Sequence, residues 1–385
     1  MRILQVIPTL SRGGAEAVVV DLSNELNQMG HEVSILLAHP VSQEEGRTSS
    51  LQLGIELHYL SDKQISRISS YIHVMRFIAQ SRILISQFDV IHCHLTLGQF
   101  FGFVWRIVGR FRSGQGPRLI YTCHNVGANS PRWQSPLDQV STKIFDAFVL
   151  MAQNKTWKEF SIRREKQNIF LIENGISMSI ALREDRFNDW TTRTLSVGTI
   201  SRLQVERKPW EFLEVFASLK KQSTRTFRYI LGGDGPLRPA LEAQTQALQL
   251  EDQVIFQGAI LLPQVFLESL DIYVTLNVED ITGIAGLEAI FNGIPVVAIQ
   301  SLPGYRTSKD DWIWSSINPA EVATKILEIS QDSAQARALV VSQQLVVAER
   351  FGSEVMASKY IVLYTNRVPA SRKSKNFEIN QVKIN

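Results

Sequence analysis

Two acidic residues eight positions apart, Asp280 and Glu288, lie in the stretch Glu279-Asp280-Ile281-Thr282-Gly283-Ile284-Ala285-Gly286-Leu287-Glu288. Carboxylates accept hydrogen bonds from sugar or ribose hydroxyls, and an acid near a helix amino terminus is electrostatically favoured. Glycine inside a helix costs up to ~1 kcal/mol relative to alanine, so Gly283 and Gly286 suit a helix start that a phosphate must reach. Upstream, Arg202 and Lys208 follow the apolar run 195–200. Arginine can grip a diphosphate with two parallel bonds, and lysine adds a point charge. Near the start, Arg12-Gly13-Gly14-Ala15-Glu16 follows the apolar run 3–7 and opens a helical pattern, where glycine lets backbone amides approach a phosphate. Each feature also has a plainer reading. A capped helix with a solvent-facing glutamate, two solvated cations or a tight strand-to-helix turn would look the same, and the residues alone leave both readings open.

The elements that must position these residues alternate regularly. Apolar runs at 3–7, 32–37, 89–92, 119–122, 148–151 and 169–172 read as strands, separated by helical patterns such as 15–29. Polar residues 177–193 lose periodicity and read as a linker. The pattern then restarts, with strands at 195–200, 227–231, 254–256, 272–276 and 295–299. Helical segments run from 210, 237, 284 and 320, and a last one starts near Phe351. Such alternation implies α/β architecture with parallel sheets. The expected division is residues 1–178 with a returning helix at about 352–367, a second domain at 179–351, and a polar tail at 368–385 expected to be disordered.

A chain of 385 residues exceeds one ordinary core, which agrees with two domains. Hydrophobic residues at 44% and charged ones at 20% mark a globular protein rather than a disordered or fibrous one. A net charge of +3 gives no argument for nucleic acid but suits anionic small molecules or an anionic membrane surface. Two cysteines cannot build a disulfide framework, no signal peptide is recognisable, and no run reaches the roughly 20 apolar residues of a spanning helix. The expected location is the cytoplasm.

With Tyr121-Thr122-Cys123-His124-Asn125, Glu173-Asn174-Gly175-Ile176, Gly233-Asp234-Gly235-Pro236 and Asn292-Gly293-Ile294-Pro295 added, the chain resembles the family-4 retaining glycosyltransferases of the GT-B fold. The resemblance runs from residue 1 to about 366, with its motifs in order and each after the right strand. It implies two facing Rossmann-like domains with an interdomain cleft. It also implies metal-independent transfer, with no cofactor, from a nucleotide sugar such as a UDP- or GDP-sugar to a glycan or polyprenyl-linked acceptor. By this resemblance Gly13, Gly14, Gly233 and Gly283 approach the donor, Arg202 and Lys208 hold its diphosphate, and Glu288 binds the ribose. His124 and Asp280 serve the transferred sugar, while His94 and Glu16 serve the acceptor. Asp280 departs from the family's usual glutamate and is a methylene shorter. A cell-surface polysaccharide or glycolipid pathway is the implied setting.

Three alternatives meet the same residues. A nicotinamide-dependent dehydrogenase lacks its Gly-x-Gly-x-x-Gly after the first strand. A nucleotide-sugar epimerase, or a catalytically impaired partner subunit, would share the architecture. His92, Cys93, His94, Cys123 and His124 resemble a metal set, but residues 92 and 94 face opposite to 93 on a strand and no metal site is expected. Residues 65–80 and 99–112 mix apolar runs with arginines, which suits peripheral membrane association. The second of them also reads as a core helix.

Overall fold

The computed structural model describes residues 1–11, 13–42, 46–109, 116–124, 134–151, 168–177, 183–277, 283–300 and 313–365. The chain divides into two compact units, Met1–Ser177 with Gly352–Asn385, and Met178–Phe351. The tail from 366 onward lies outside the described residues.

The first unit holds β1 (Arg2–Val6), β2 (Glu32–Leu37), β3 (Glu56–Tyr59), β4 (Val90–His94), β5 (Arg118–Cys123), β6 (Ala147–Leu150) and β7 (Ile169–Leu171). They form one sheet in the order β3-β2-β1-β4-β5-β6-β7, and every pairing is parallel. Both faces are covered, so the central strands β1, β4 and β5 are buried almost throughout. On one face Leu4, Val6, Ile91, Cys93, Tyr121 and Cys123 pack with Val74 and Ile78 of helix Arg67–Gln80 and with Phe101 and Trp105 of helix Leu95–Gly109. Phe100, Phe101, Phe103 and Trp105 of segment 99–112 therefore face the core. Phe101 is fully buried, Trp105 is 6% exposed, and Gly102 lies so close to Phe145 that a Cβ would sit 2.3 Å from its ring. That corrects the surface reading of this segment, whose Arg110 and Arg112 lie outside the described residues.

The opposite face of β1, β4 and β5 is buried but polar, carrying Gln5, His92, His94 and Thr122. Helix Ser353–Thr365 returns to this unit and closes that face with Tyr360 and Tyr364. Ser353 N donates to Ile176 O at 3.1 Å, so the returning helix is held at the point where the chain leaves the unit.

The second unit repeats the plan with β8 (Leu195–Ile200), β9 (Phe227–Gly232), β10 (Val254–Gly258), β11 (Ile272–Asn277), β12 (Val296–Gln300) and β13 (Ser315–Ser316). Their order is β10-β9-β8-β11-β12-β13, again all parallel. Phe212 and Phe216 of helix Trp210–Gln222 and Val322 and Ile326 of helix Pro319–Gln331 fill its core. The expected linker at 177–193 is partly core as well. Trp190 is buried, and its Nε1 donates to Ile329 O at 3.0 Å.

Candidate active site

In each unit the strand order reverses once, between β1 and β4 and between β8 and β11. Ligands of open parallel sheets bind beyond the carboxyl ends of the strands at such a reversal. The chemistry-bearing residues of each unit gather at that place.

In the second unit Arg202 is exposed on the loop that leaves β8. The loop is zipped to the turn after β9. Ser201 N donates to Gly232 O at 2.9 Å, Leu203 N to Asp234 O at 3.0 Å and Leu237 N to Leu203 O at 3.0 Å. Gly233 makes that approach possible: its φ is +121°, and a Cβ would lie 1.9 Å from Ser201 O. Its role in the structure is thus to let two backbones touch and hold the chain bearing Arg202. Lys208 sits in the left-handed region (φ 40°, ψ 52°), and its Nζ lies 3.4 Å from Glu211 Oε1.

Helix Ile284–Phe291 follows β11 with Gly283 as its N-cap, and among the described residues nothing lies within 4 Å of where its Cβ would be. Glu288 is half-buried on this helix. The fully buried Tyr273 hydroxyl accepts from Ile200 N at 3.1 Å at the end of β8. Burial pushes this phenol up to about 12, and the Glu288 charge adds to the rise while that of Arg207 opposes it. Glu288 and Arg207 are therefore both near the end of β8. Arg207 was not singled out from the sequence, although its place beside Lys208 was a signal. Asp280 lies outside the described residues.

In the first unit Gly13 caps helix Gly14–Gln28 with no side-chain hydrogen bond, and Gly14 is exposed at its first turn. Glu16 folds back over Gly13 and accepts from Ser11 Oγ at 3.1 Å. His124, just past β5, is half-buried, and burial lowers its imidazole to about 4, so it is neutral near pH 7. Its Nε2 lies 2.9 Å from His94 Nδ1, and His94 Nε2 lies 2.8 Å from Gln5 Oε1. His94, expected on the acceptor side, is fully buried with both ring nitrogens engaged inside the protein. Behind it, His92 Nδ1 meets the Tyr364 hydroxyl at 2.7 Å and His92 Nε2 meets Thr122 Oγ1 at 2.7 Å, which in turn meets the Tyr360 hydroxyl at 2.8 Å.

Cys93 and Cys123 point into the apolar face, away from the histidines, and burial pushes the Cys93 thiol up. Among the described residues no three His, Cys, Asp or Glu side chains come together as a metal-holding group.

Residues 12–179 match the profile described as Glycosyltransferase Family 4, and residues 183–344 match that of Glycosyl transferases group 1. The chain is 26% identical over 268 residues to a Campylobacter jejuni enzyme named GalNAc-alpha-(1->4)-GalNAc-alpha-(1->3)-diNAcBac-PP-undecaprenol alpha-1,4-N-acetyl-D-galactosaminyltransferase, covering 68% of each. It is 22% identical over 316 residues to the putative glycosyltransferase EpsF of Bacillus subtilis, covering 78% of this chain and 79% of the relative. Its fold resembles that of Anabaena HepE, solved with UDP and glucose, with a TM-score of 0.71, 15% identity and coverage of 95% of this chain and 100% of that one. A Staphylococcus aureus TarM mutant, solved with fondaparinux, alpha-GlcNAc-glycerol and UDP, gives a TM-score of 0.70 at 12% identity, covering 95% and 100%. Two parallel α/β units of GT-B kind and two matched profiles that together span most of the chain place it in glycosyltransferase family 4, and it is a glycosyltransferase.

Proposed function

We propose that the chain moves a sugar from a nucleoside diphosphate sugar to a glycan or lipid-linked acceptor, with retention of anomeric configuration and without a metal. The observation that carries this reading is the reversal between β8 and β11. There the zipped loop presents Arg202 while the helix bearing Glu288 begins at Gly283. In the reaction the bond between the anomeric carbon and the diphosphate oxygen breaks, and its electron pair leaves with the nucleoside diphosphate. The acceptor oxygen bonds to that carbon, and its proton passes to the departing phosphate. Arg202 and Lys208 stabilise the charge that grows on the leaving group. Glu288 holds the ribose hydroxyls, neutral His124 holds a hydroxyl of the sugar, and Asp280 contacts the same sugar. Gly13 and Gly14 admit the donor phosphates from the first unit, and Glu16 stands on the acceptor side. The Campylobacter relative's lipid-linked glycan acceptor makes an undecaprenol-type acceptor the first to try. Calorimetric titration with UDP, GDP and their sugars tests the donor reading. Saturable binding that is weakened about tenfold or more in Arg202→Ala supports it, and no binding to any of them overturns it.

We further propose that the enzyme works at an anionic membrane surface on the cytoplasmic side. Among the described residues no helix is long and apolar enough to cross a membrane. Helix Arg67–Gln80 nevertheless exposes Ile68, Ile72 and Met75 on one face, and Ile83 beyond it is 80% exposed. Between Asp62 and Asp89 the chain carries Lys63, Arg67, Arg76 and Arg82 and no acid. Each such cation near an anionic surface adds about 1 kcal/mol. Sedimentation with anionic liposomes at low salt, reversed by high salt, is the expected result. Protein that stays in the supernatant would refute the membrane assignment.

A further inference from the structure

His124 is the last member of a buried chain that starts on another strand, and that chain bears on how the imidazole works. The structure assigns Gln5 and His94 as positioning residues that hold His124 as the tautomer protonated on Nε2, with Nδ1 left as the acceptor. The inference rests on the reading above that His124 holds a hydroxyl of the transferred sugar.

Gln5, His94 and His124 belong to three neighbouring strands or their ends, β1, β4 and β5, on one face of the sheet. With the Gln5 amide turned so that Oε1 faces His94 and Nε2 is left buried without a hydrogen-bond partner among the described residues, Oε1 can only accept, and His94 Nε2 carries the proton in the 2.8 Å bond between them. Neutral His94 then offers a lone pair at Nδ1, and the 2.9 Å contact requires that His124 Nε2 donate. The remaining nitrogen of His124, Nδ1, is left with a lone pair for a substrate hydroxyl. Reversing the Gln5 amide would invert the proton on both rings. One side chain on β1 therefore decides whether His124 accepts or donates.

The surroundings keep the rings neutral and still. Burial lowers His92, His94 and His124 below the usual imidazole range, and neighbouring imidazoles lower His92 and His94 further. The His92 and His94 rings lie tilted at 42° with centroids 4.0 Å apart, and Tyr360 and Tyr364 of the returning helix close the space behind His92. The chain leaves His94 through Leu95 in the left-handed region (φ 56°), an uncommon conformation for leucine. It then packs against β1 so closely that a Cβ on Gly98 would lie 2.7 Å from Val6 O. Backbone strain of this kind persists only where the surroundings impose it, and here it fixes the residue beside His124.

The test is a long-range proton–nitrogen correlation spectrum of the full chain with 15N-labelled histidine, at pH 7.5. His124 should show a protonated Nε2 and an unprotonated Nδ1; a protonated Nδ1 overturns the assignment, whatever the activity. Variants supply a second readout. His94→Asn keeps an acceptor near the position of Nδ1, whereas His94→Leu removes it. His94→Leu should lower kcat about tenfold or more, with the donor KM within about twofold, because a buried donor on His124 loses its partner. His94→Asn should recover most of the loss. Equal kcat values for the two variants would overturn the proposal. Gln5→Leu should leave His124 as a mixture of tautomers, and an unchanged spectrum would also overturn it. If the wild-type enzyme transfers no sugar from any nucleotide sugar, the functional reading fails, while the tautomer measurement still decides this one.

Discussion

Replacing Gly233 by alanine should loosen the loop that presents Arg202 and weaken donor binding together with the fold. The added Cβ would sit 1.9 Å from Ser201 O, and φ at this residue is +121°. Backbone oxygen cannot swing aside as a side chain can, so the turn after β9 and the loop after β8 must separate by about an ångström. Three hydrogen bonds cross that seam, from Ser201 N, Leu203 N and Leu237 N. Each contributes about 0.5–1.5 kcal/mol net, and a side chain forced into this region of φ costs a further ~1–2 kcal/mol. A loss of about 3 kcal/mol is expected if the seam relaxes in part. For a unit of this size that lowers the midpoint by about 6–12 °C. Differential scanning calorimetry with and without UDP or GDP is the assay. Gly283→Ala is the internal contrast. Among the described residues its Cβ meets nothing within 4 Å, so the fold should melt as wild type while diphosphate affinity falls if a phosphate approaches there. A Gly233→Ala protein that melts within about 2 °C of wild type and binds nucleotide equally well would refute the role given to this turn.

Arg202→Ala and Lys208→Ala should each weaken diphosphate binding by roughly 1.5–3 kcal/mol, measured by titration calorimetry. The fold should be unaffected, since both residues lie on a loop. Glu288→Ala should abolish useful turnover, whereas Asp280→Glu should be tolerated; the reverse pattern in initial rates would show the loop has been misread. Stability should fall below about pH 6.5. The unfolded chain takes up protons on His92, His94 and His124, which the native unit resists, and the native state holds an extra proton on each of Asp21 and Asp138, raised by burial to about 6. Three protons favouring the unfolded chain against two favouring the native one leave about one, or ~1.4 kcal/mol per pH unit near pH 5. Urea denaturation across pH 5–8 checks the slope, and greater stability at pH 5 than at pH 7 would contradict it.

Much of the architecture was legible because parallel strands buried on both faces read as unbroken apolar runs. The edge strands β3 and β13 were not, since Glu56–Tyr59 and Ser315–Ser316 are short and mixed in character. The helix at 95–109 is apolar nearly all round, which marks a buried element, yet its arginine-rich end also fitted a membrane surface. His94 looked accessible because it ends a strand, and only the fold shows that Gln5, 89 residues away, occupies one of its nitrogens. A glutamine in the otherwise apolar interior of β1 was the one local signal for that contact. The link from His92 to Tyr364 spans 272 residues and has no trace in local pattern. Arg207 went unremarked because a cation beside Lys208 reads as one more solvated charge.

The most direct test of sugar transfer uses the purified full chain with UDP- and GDP-sugars, an undecaprenyl-pyrophosphate glycan and excess EDTA, followed by proton NMR of the product. The account predicts stoichiometric release of a nucleoside diphosphate and a new glycosidic bond with the donor's anomeric configuration. A free epimerised sugar, an inverted anomer, or activity that returns only when a divalent cation is added would contradict it.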